Sequence, residues 1–415
     1  MPDSQDTYRS HLMPALRPLL EAAPAPGSNA LEAHALLDDA LRARATDVHL
    51  DPLHDGYRIR LRIDGRIVDA LRIESGQGAR LVNQFKVLSG LNPVPSLATA
   101  EGSFSWAFEP GTEALYMRVT AVHCVAGEKL AVRFLAPPQT FDDTASLGIG
   151  EEGAMGIRRW MDATGSMLLV AGPTGAGKTT TLYTLLNQLR LTDSHVVTLE
   201  NPVEYGISGI NQVQVDKDHG LNFESGTRSL LRLDPDYVLI GEIRDVESAR
   251  AALSVTSSGR SLMGTLHSRD AVGVVTSMRQ LGLSDSEIGA NLGLVIAQRL
   301  VRRLCQHCRV RQPPERSDSE WLQAIGLSMP ELTWSAPGCT QCDGLGYRGR
   351  IGVFEIWQLT PEDYARILRH ADESELRRAL LERGEALMLS DGLSKAGAGI
   401  TSLREVFRMG AILTA

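Results

Sequence analysis

The octapeptide Gly172-Pro173-Thr174-Gly175-Ala176-Gly177-Lys178-Thr179 constrains this chain more than any other stretch of its 415 residues. It follows Met167-Leu168-Leu169-Val170, a short apolar run that reads as a buried strand, and it opens Lys178–Arg190, which reads as a helix. Glycines at 172, 175 and 177 let the backbone turn its N–H groups inward around a polyphosphate. The helix behind directs its positive end at the same anion. Lys178 then reaches the β- and γ-phosphates, Thr179 offers its hydroxyl to Mg²⁺, and Thr180 completes the set of loop residues around the nucleotide. A chance glycine turn would not also have the strand, the helix and every fixed position in place. ATP with Mg²⁺ is the expected ligand.

Val196-Val197-Thr198-Leu199 and Tyr237-Val238-Leu239-Ile240 are further short apolar runs, with helical patterns between and after them. Strand alternating with helix predicts a parallel sheet covered on both faces, hence an α/β domain. In open sheets of this kind ligands sit beyond the carboxyl ends of the strands. Glu242 follows one strand and is the natural second carboxylate for Mg²⁺ or its waters. Asp245, three residues on, is expected to pair with Arg244 or to cap a helix. Glu200 and Glu204 follow another strand, and either is placed to orient an attacking water as general base. His267 ends the strand containing Thr265-Leu266 and is a candidate γ-phosphate sensor, although a lone histidine is more often a satisfied structural residue.

The other chemical signal is cysteine spacing. Cys305, Cys308, Cys339 and Cys342 spell C-x2-C-x30-C-x2-C, two knuckles that bring four thiolates into a tetrahedron suited to a closed structural Zn²⁺. Gly338 precedes the second knuckle, and Gly344, Gly346 and Gly349 follow it, as tight turns require. The long gap must accommodate a loop or small helix around Trp321. Redox pairs or unrelated thiols are the alternatives. Cys124 stands alone and reads as a core residue. Arg299, Arg302, Arg303, Arg309 and Arg311 flank the first knuckle, either as a docking face for an acidic partner or lipid head groups, or as solvated charge.

Ahead of the loop the pattern is different. A helix is expected over 30–45, capped by Asn29, with strands at Asp47–Leu50, Tyr57–Ile63, Arg66–Val68, Leu115–Ala121 and Lys129–Leu135. These make a small α+β domain over 30–137, preceded by a segment 1–29 and followed by a linker 138–153. The α/β domain then runs over 154–415, with the cysteine module at 300–350 and a helical part at 358–415. Net charge is −8, from 42 basic against 50 acidic residues, which argues against a protein that coats nucleic acid. No apolar stretch approaches the length of about 18 residues that a membrane span needs. The start lacks a secretory signal, so a cytoplasmic protein with only peripheral membrane contact is expected.

Taken in order, these motifs resemble the hexameric ATPases of type II secretion and type IV pilus extension, from about Leu36 to Phe407. Ala45-Thr46-Asp47-Val48-His49-Leu50-Asp51-Pro52 and Arg60-Leu61-Arg62-Ile63-Asp64-Gly65 resemble the opening of the family's PAS-like N-terminal domain. Thr198–Tyr205 resembles its acidic box, Leu233–Asp245 its Walker B segment and Gly264–Asp270 its histidine box. Ala297–Cys305 and Gly344–Arg350 resemble its tetracysteine module, which pilus retraction motors generally lack, so extension or secretion is favoured. The resemblance implies a RecA-like P-loop NTPase domain and catalytic roles for Glu200, Glu242 and His267. It also implies arginines that reach the nucleotide from a neighbouring subunit, matched here by Arg60, Arg62 and Arg118, and motor-domain arginines matched by Arg228 and Arg232. A hexameric ring acting on an inner-membrane platform protein follows from the same resemblance.

The chain departs from the family at Asn201, where Asp is usual, and at Arg260, where His is usual. Asn92–Gly102 lacks an arginine-rich signature, and the long N-terminal extension of many secretion ATPases is missing or reduced to about thirty residues. Asn201 and the altered boxes keep one rival in view, a nucleotide-binding regulator without efficient turnover; a second rival is a DNA-processing motor with a zinc ribbon. The acidic net charge counts against the second, and no nucleic acid partner is expected.

Overall fold

The computed structural model describes residues 9–21, 31–107, 114–135, 141–216, 218–324, 330–385 and 387–410. The chain divides into two compact units, Met1–Ala136 and Pro137–Ala415. Asn29, the expected helix cap, lies outside the described residues.

The first unit contains α1 (Leu16–Glu21), α2 (Leu31–Arg42), β1 (Ala45–Leu53), β2 (Gly56–Ile63), β3 (Arg66–Ile73), α3 (Ser75–Leu88), β4 (Ala100–Trp106), β5 (Leu115–Cys124) and β6 (Gly127–Leu135). Its strands form one antiparallel sheet in the order β3-β2-β1-β6-β5-β4. Period-two alternation buries Val48, Leu50, Ile59, Leu61, Met117, Val119, Leu130 and Val132 on one face. Asp47, Asp51, Arg60 and Arg62 fall on the other.

Besides α1, which lies in the segment 1–29, two elements here escaped the sequence pattern. α3 opens with Ser75-Gly76-Gln77-Gly78, which reads as a loop. A Cβ at Gly78 would lie 2.1 Å from Cδ2 of Tyr57, so the glycine is there for close packing of the helix on the ring. Gln77 also accepts a hydrogen bond from the Glu74 N–H at 3.0 Å and fixes the start of the helix. β4 is an edge strand; its Trp106 stacks on His34 with ring centroids 4.1 Å apart. Cys124 is only half-buried, at the hairpin end of β5, and is not a core residue.

The second unit contains α4 (Thr144–Leu147), α5 (Glu151–Asp162), β7 (Met167–Ala171), α6 (Lys178–Leu189), β8 (Val196–Glu200), β9 (Asn211–Gln214), α7 (Phe223–Leu230), β10 (Tyr237–Ile240), α8 (Val246–Ser257), β11 (Ser261–Leu266), α9 (Gly273–Gln280) and α10 (Asp285–Asn291). It continues with β12 (Leu292–Leu304), β13 (Val310–Gln312), α11 (Arg316–Ala324), β14 (Thr333–Ser335), β15 (Tyr347–Gln358), α12 (Pro361–Leu368), α13 (Glu373–Glu382), α14 (Met388–Gly397) and α15 (Leu403–Gly410). The region read as a linker, 138–153, thus carries α4 and the first turn of α5.

The main sheet runs β15-β12-β7-β11-β10-β8-β9. Six of its strands are mutually parallel, and β15 pairs antiparallel with β12 along the edge. The sheet is therefore mixed, where a purely parallel one was expected. β7, β8, β10 and β11 are buried at every residue, as covering on both faces demands. One face packs on α5 and α6 through Ile157, Trp160, Leu182, Leu185 and Leu186. The other packs on α8 and α9 through Ala249, Val255, Val274 and Met278.

In the first unit Lys86 Nζ lies 2.9 Å from both carboxylate oxygens of Glu128, with the side chains 1% and 9% exposed. Removing one partner strands a buried charge. Lys86→Met is expected to destabilise this unit by about 3–5 kcal/mol, and Lys86→Met with Glu128→Leu to recover most of that. Denaturant unfolding of both variants checks it.

Candidate functional site

The phosphate loop leaves the carboxyl end of β7, flanked by β11 and β12. Gly172 N–H donates to Leu266 O of β11 at 3.3 Å. Gly172 has φ +155°, and a Cβ there would sit 2.5 Å from Gln298 O of β12, so only glycine fits. Gly177, at φ +88°, caps the start of α6. Lys178 Nζ donates to Gly172 O at 2.9 Å and to Pro173 O at 3.2 Å, which holds it over the loop. Burial pushes its ammonium below the ordinary lysine range, against the opposing pull of the Glu242 carboxylate.

Gln298 supports the loop from beneath. It is 1% exposed; its Nε2 donates to Ala176 O at 2.7 Å, and its Oε1 accepts from Thr181 Oγ1 at 2.8 Å. Sequence reasoning passed over it. A polar amide in the apolar run Leu292–Ala297 onward was the available signal.

The expected carboxylates and histidine meet the loop in one cleft of about 500 Å³, lined by Thr174–Thr180, Glu200, Asn201, Glu204, Glu242, His267, Leu300 and Arg350 among others. Glu242, two residues beyond β10, lies 2.9 Å from His267 Nε2, one residue beyond β11, and 3.6 Å from Arg244. The β10–β11 register, Ile240 opposite Gly264, makes that meeting possible. Asp245 caps α8, accepting from the Ser248 N–H at 2.8 Å.

Glu200 is 3% exposed and accepts hydrogen bonds from Tyr183 OH, from Thr198 Oγ1 at 2.6 Å and from Gln212 Nε2 at 3.2 Å. Burial and the neighbouring Glu200 charge both raise the Tyr183 phenol above its ordinary range, which keeps it a donor. Thr198 shares a strand face with Glu200, but Tyr183 and Gln212 were not legible in advance, since they come from α6 and β9.

Other named residues lie elsewhere. Arg260 donates to Asp234 at 2.9 Å at the amino end of β11; a six-residue strand separates it from His267 by about 20 Å. That departure therefore lies away from the cleft, whereas Asn201 lines it. Arg228 pairs with Glu224 at 2.7 Å on the exposed face of α7, and Arg232 is exposed. In the first unit Arg60 pairs with Asp51, and Arg62 lies 3.4 Å from Asp47. Arg118 is exposed and has no ion-pair partner among the described residues.

The four knuckle cysteines come together, all sulfurs within 4.8 Å of one another. The Cys305–Cys339, Cys308–Cys342 and Cys339–Cys342 separations are 3.8, 3.9 and 3.8 Å. A tetrahedron with metal–sulfur bonds of about 2.3 Å has edges of about 3.8 Å, so the donor set fits a closed tetrathiolate. Burial raises the Cys342 thiol, but the Cys339 and Gly346 N–H groups at 3.2 Å outweigh it and hold it down at about 7. Burial pushes Cys308 up to about 12, so a full tetrathiolate calls for a cation. Gly338 and Gly346 have φ +104° and +74° in the knuckle turns. The arginines nearby mostly engage their own chain. Arg302 pairs with Glu405 at 2.7 Å, Arg309 donates to Gly399 O at 2.7 Å, and Arg311 lies over the Trp334 ring.

A family model described as type II/IV secretion system protein matches residues 26–408. The type IV pilus assembly ATPase PilB of Myxococcus xanthus is 34% identical over 375 residues, covering 89% of this chain and 66% of the relative. The type II secretion system ATPase E of Vibrio cholerae is 35% identical over 381 residues, covering 91% and 74%. The chain thus spans just under two thirds of the pilus relative's length. Among solved structures, the Legionella pneumophila ATPase DotB superposes with a TM-score of 0.68 at 20% identity, over 94% of this chain and 98% of that one. It shares the fold.

Gln298→Ala leaves the Thr181 hydroxyl and the Ala176 carbonyl without their buried partner. A loss of about 1–3 kcal/mol in unfolding free energy is expected, with the midpoint of thermal unfolding as the measurement.

Proposed function

The chain belongs to the type II/IV secretion system protein family, and from that premise we propose that it is an ATPase driving pilin or pseudopilin assembly, in type II protein secretion or type IV pilus extension. The observation that carries the reading is the shared cleft: a phosphate loop with Lys178, and the Glu242–His267 pair at 2.9 Å, at adjacent strand ends.

In this reading Gly172–Thr180 would cradle the triphosphate, and Thr179 and Glu242 would hold Mg²⁺, which would supply positive charge to the phosphates. His267, oriented by Glu242, reaches for the γ-phosphate. Glu200 orients the attacking water. Three donors fix its carboxylate and still leave it acceptor capacity. Cys305, Cys308, Cys339 and Cys342 hold a structural Zn²⁺.

The first unit is the family's PAS-like domain, a reading supported by its antiparallel sheet with arginines on one face. Arg118 is the arginine best placed to serve a neighbouring subunit's nucleotide, because Arg60 and Arg62 are paired with Asp51 and Asp47. Arginines supplied in trans require a ring, for which a hexamer is proposed, working in the cytoplasm against an inner-membrane platform protein. No described helix is long and apolar enough to cross a membrane.

Steady-state phosphate release by the purified chain with Mg-ATP tests the activity. Lys178→Ala is expected to lower it by about 100-fold or more; a wild-type rate no higher than this control would leave a nucleotide-binding member without turnover. Metal analysis is expected to find one zinc per second unit, and chelation under mild denaturant to lower its melting midpoint. Cys342→Ser with full zinc and unchanged melting would count against the metal site.

A further inference from the structure

His267 is held from behind as well as by Glu242. The turn 267–273, between β11 and α9, has its backbone tied down by side chains. Ser277 Oγ donates to His267 O at 3.3 Å, and Arg299 Nη2 of β12 donates to Arg269 O at 3.1 Å. Asp270 Oδ1 accepts from the Gly273 N–H at 2.9 Å, and Glu355 Oε1 of β15 accepts from the Ala271 N–H at 2.9 Å. Strand register explains how a residue of the edge strand meets this turn. Leu266, Ala171, Ala297 and Glu355 form one row across β11, β7, β12 and β15, so the chain leaving β11 crosses β7 and β12 to reach Glu355.

Both carboxylates are tied in turn to the helices that follow. Glu355 and Asp270 are 5% and 6% exposed. Glu355 Oε2 accepts from the N–H of Met388, the first residue of α14, at 3.1 Å, and Asp270 Oδ2 meets Arg377 Nη2 of α13 at 2.5 Å. A buried carboxylate that bridges two backbone N–H groups fixes both, because letting either go strands a polar group away from water. The turn has no slack of its own: a Cβ at Gly273 would lie 2.6 Å from Ser268 Oγ and 3.1 Å from Asp270 Oδ1. Neither Glu355 nor Arg377 lines the nucleotide cleft.

We infer that Glu355 and Arg377 are positioning residues for His267: acting on the Ala271 N–H and on Asp270, they fix the turn that carries the imidazole and so set its reach to the γ-phosphate. The inference rests on the reading of His267 as a γ-phosphate sensor. Glu242, at 2.9 Å, orients the ring; the turn sets where the ring starts from. A misplacement of about 1 Å costs such a group most of its effect.

Equilibrium binding of Mg-ADP and of a non-hydrolysable Mg-ATP analogue to the purified chain tests this without relying on turnover. His267→Ala is expected to weaken the analogue about 10-fold and to leave ADP unchanged. Glu355→Gln and Arg377→Ala are expected to weaken the analogue about 3- to 10-fold, again with ADP unchanged. In a His267→Ala background they are expected to add nothing, since they act through the lost ring. Arg377→Lys, which keeps a cation beside Asp270, is expected to recover part of the loss. Should Arg377→Ala fail to fold, Arg377→Ala with Asp270→Asn removes the stranded charge and is expected to show the same selective loss. Undiminished analogue binding by the folded variants, an equal loss for ADP, or a further loss on top of His267→Ala would overturn the positioning role. His267→Ala binding the analogue like wild type would instead overturn the sensor reading beneath it, and wild-type chain binding neither nucleotide would overturn the nucleotide reading as a whole.

Discussion

The cleft depends on Gln298 and its two buried hydrogen bonds. An amide in an apolar sheet face is destabilising unless both of its ends are satisfied. Here the satisfying groups are the Ala176 carbonyl in the loop and the Thr181 hydroxyl in the helix. One side chain therefore binds together the three parts of the phosphate site: strand β12, the loop, and the first turn of α6. The Gln298 carbonyl adds a steric constraint, since it admits no side chain at Gly172. Loop geometry is thus imposed by the neighbouring strand as much as by the glycines themselves.

β12 carries that constraint further. It runs from beside the loop to Leu304, directly before Cys305, and its partner β15 starts one residue after Gly346, whose N–H donates to the Cys342 sulfur. Cys305 N–H in turn donates to Gly346 O at 3.0 Å. The cysteine cluster therefore closes the end of the β12–β15 ribbon, and the same ribbon presents Leu300 and Arg350 to the cleft. A two-stranded edge with glycines at 346, 349 and 352 would be loosely held on its own. Four thiolates on one cation, two from each side of the ribbon, are a direct way to hold its register.

Much of the second unit was legible because its central strands are continuous apolar runs next to a loop with a fixed chemical pattern. Glu242, His267 and Glu200 were legible as strand ends. Their partners were not: Tyr183 and Gln212 reach Glu200 from elements chosen by sheet order, which local pattern does not encode. The antiparallel edge was hidden because β15 grows out of the glycine-rich knuckle and declares its partner only through long-range register. α3 was hidden by Gly78, whose purpose is contact with a tyrosine 21 residues earlier. A loop or small helix around Trp321 was expected from gap length alone; the structure has the helix α11 there, with Trp321 packed edge-on against Phe407 at 5.4 Å between ring centroids.

The arginines of the first unit make a separate physical point. Asp47 and Asp51 would be raised by burial, but hydrogen bonds from Arg133 and from Arg60 and Lys129 more than offset it and keep both carboxyls below the usual range. Each aspartate has more than one cation: Asp47 has Arg133 at 2.8 Å and Arg62 at 3.4 Å, and Asp51 has Arg60 and Lys129, the latter at 3.0 Å. Loss of one of these arginines then does not strand a buried carboxylate, because the second cation remains. The usual cost of breaking a pair, several kcal/mol when the partner is left bare, falls towards the value for exposed pairs of about 0–1 kcal/mol. Doubling the cations on each aspartate thus keeps the buried carboxylates of this sheet face neutralised even when one pair is broken.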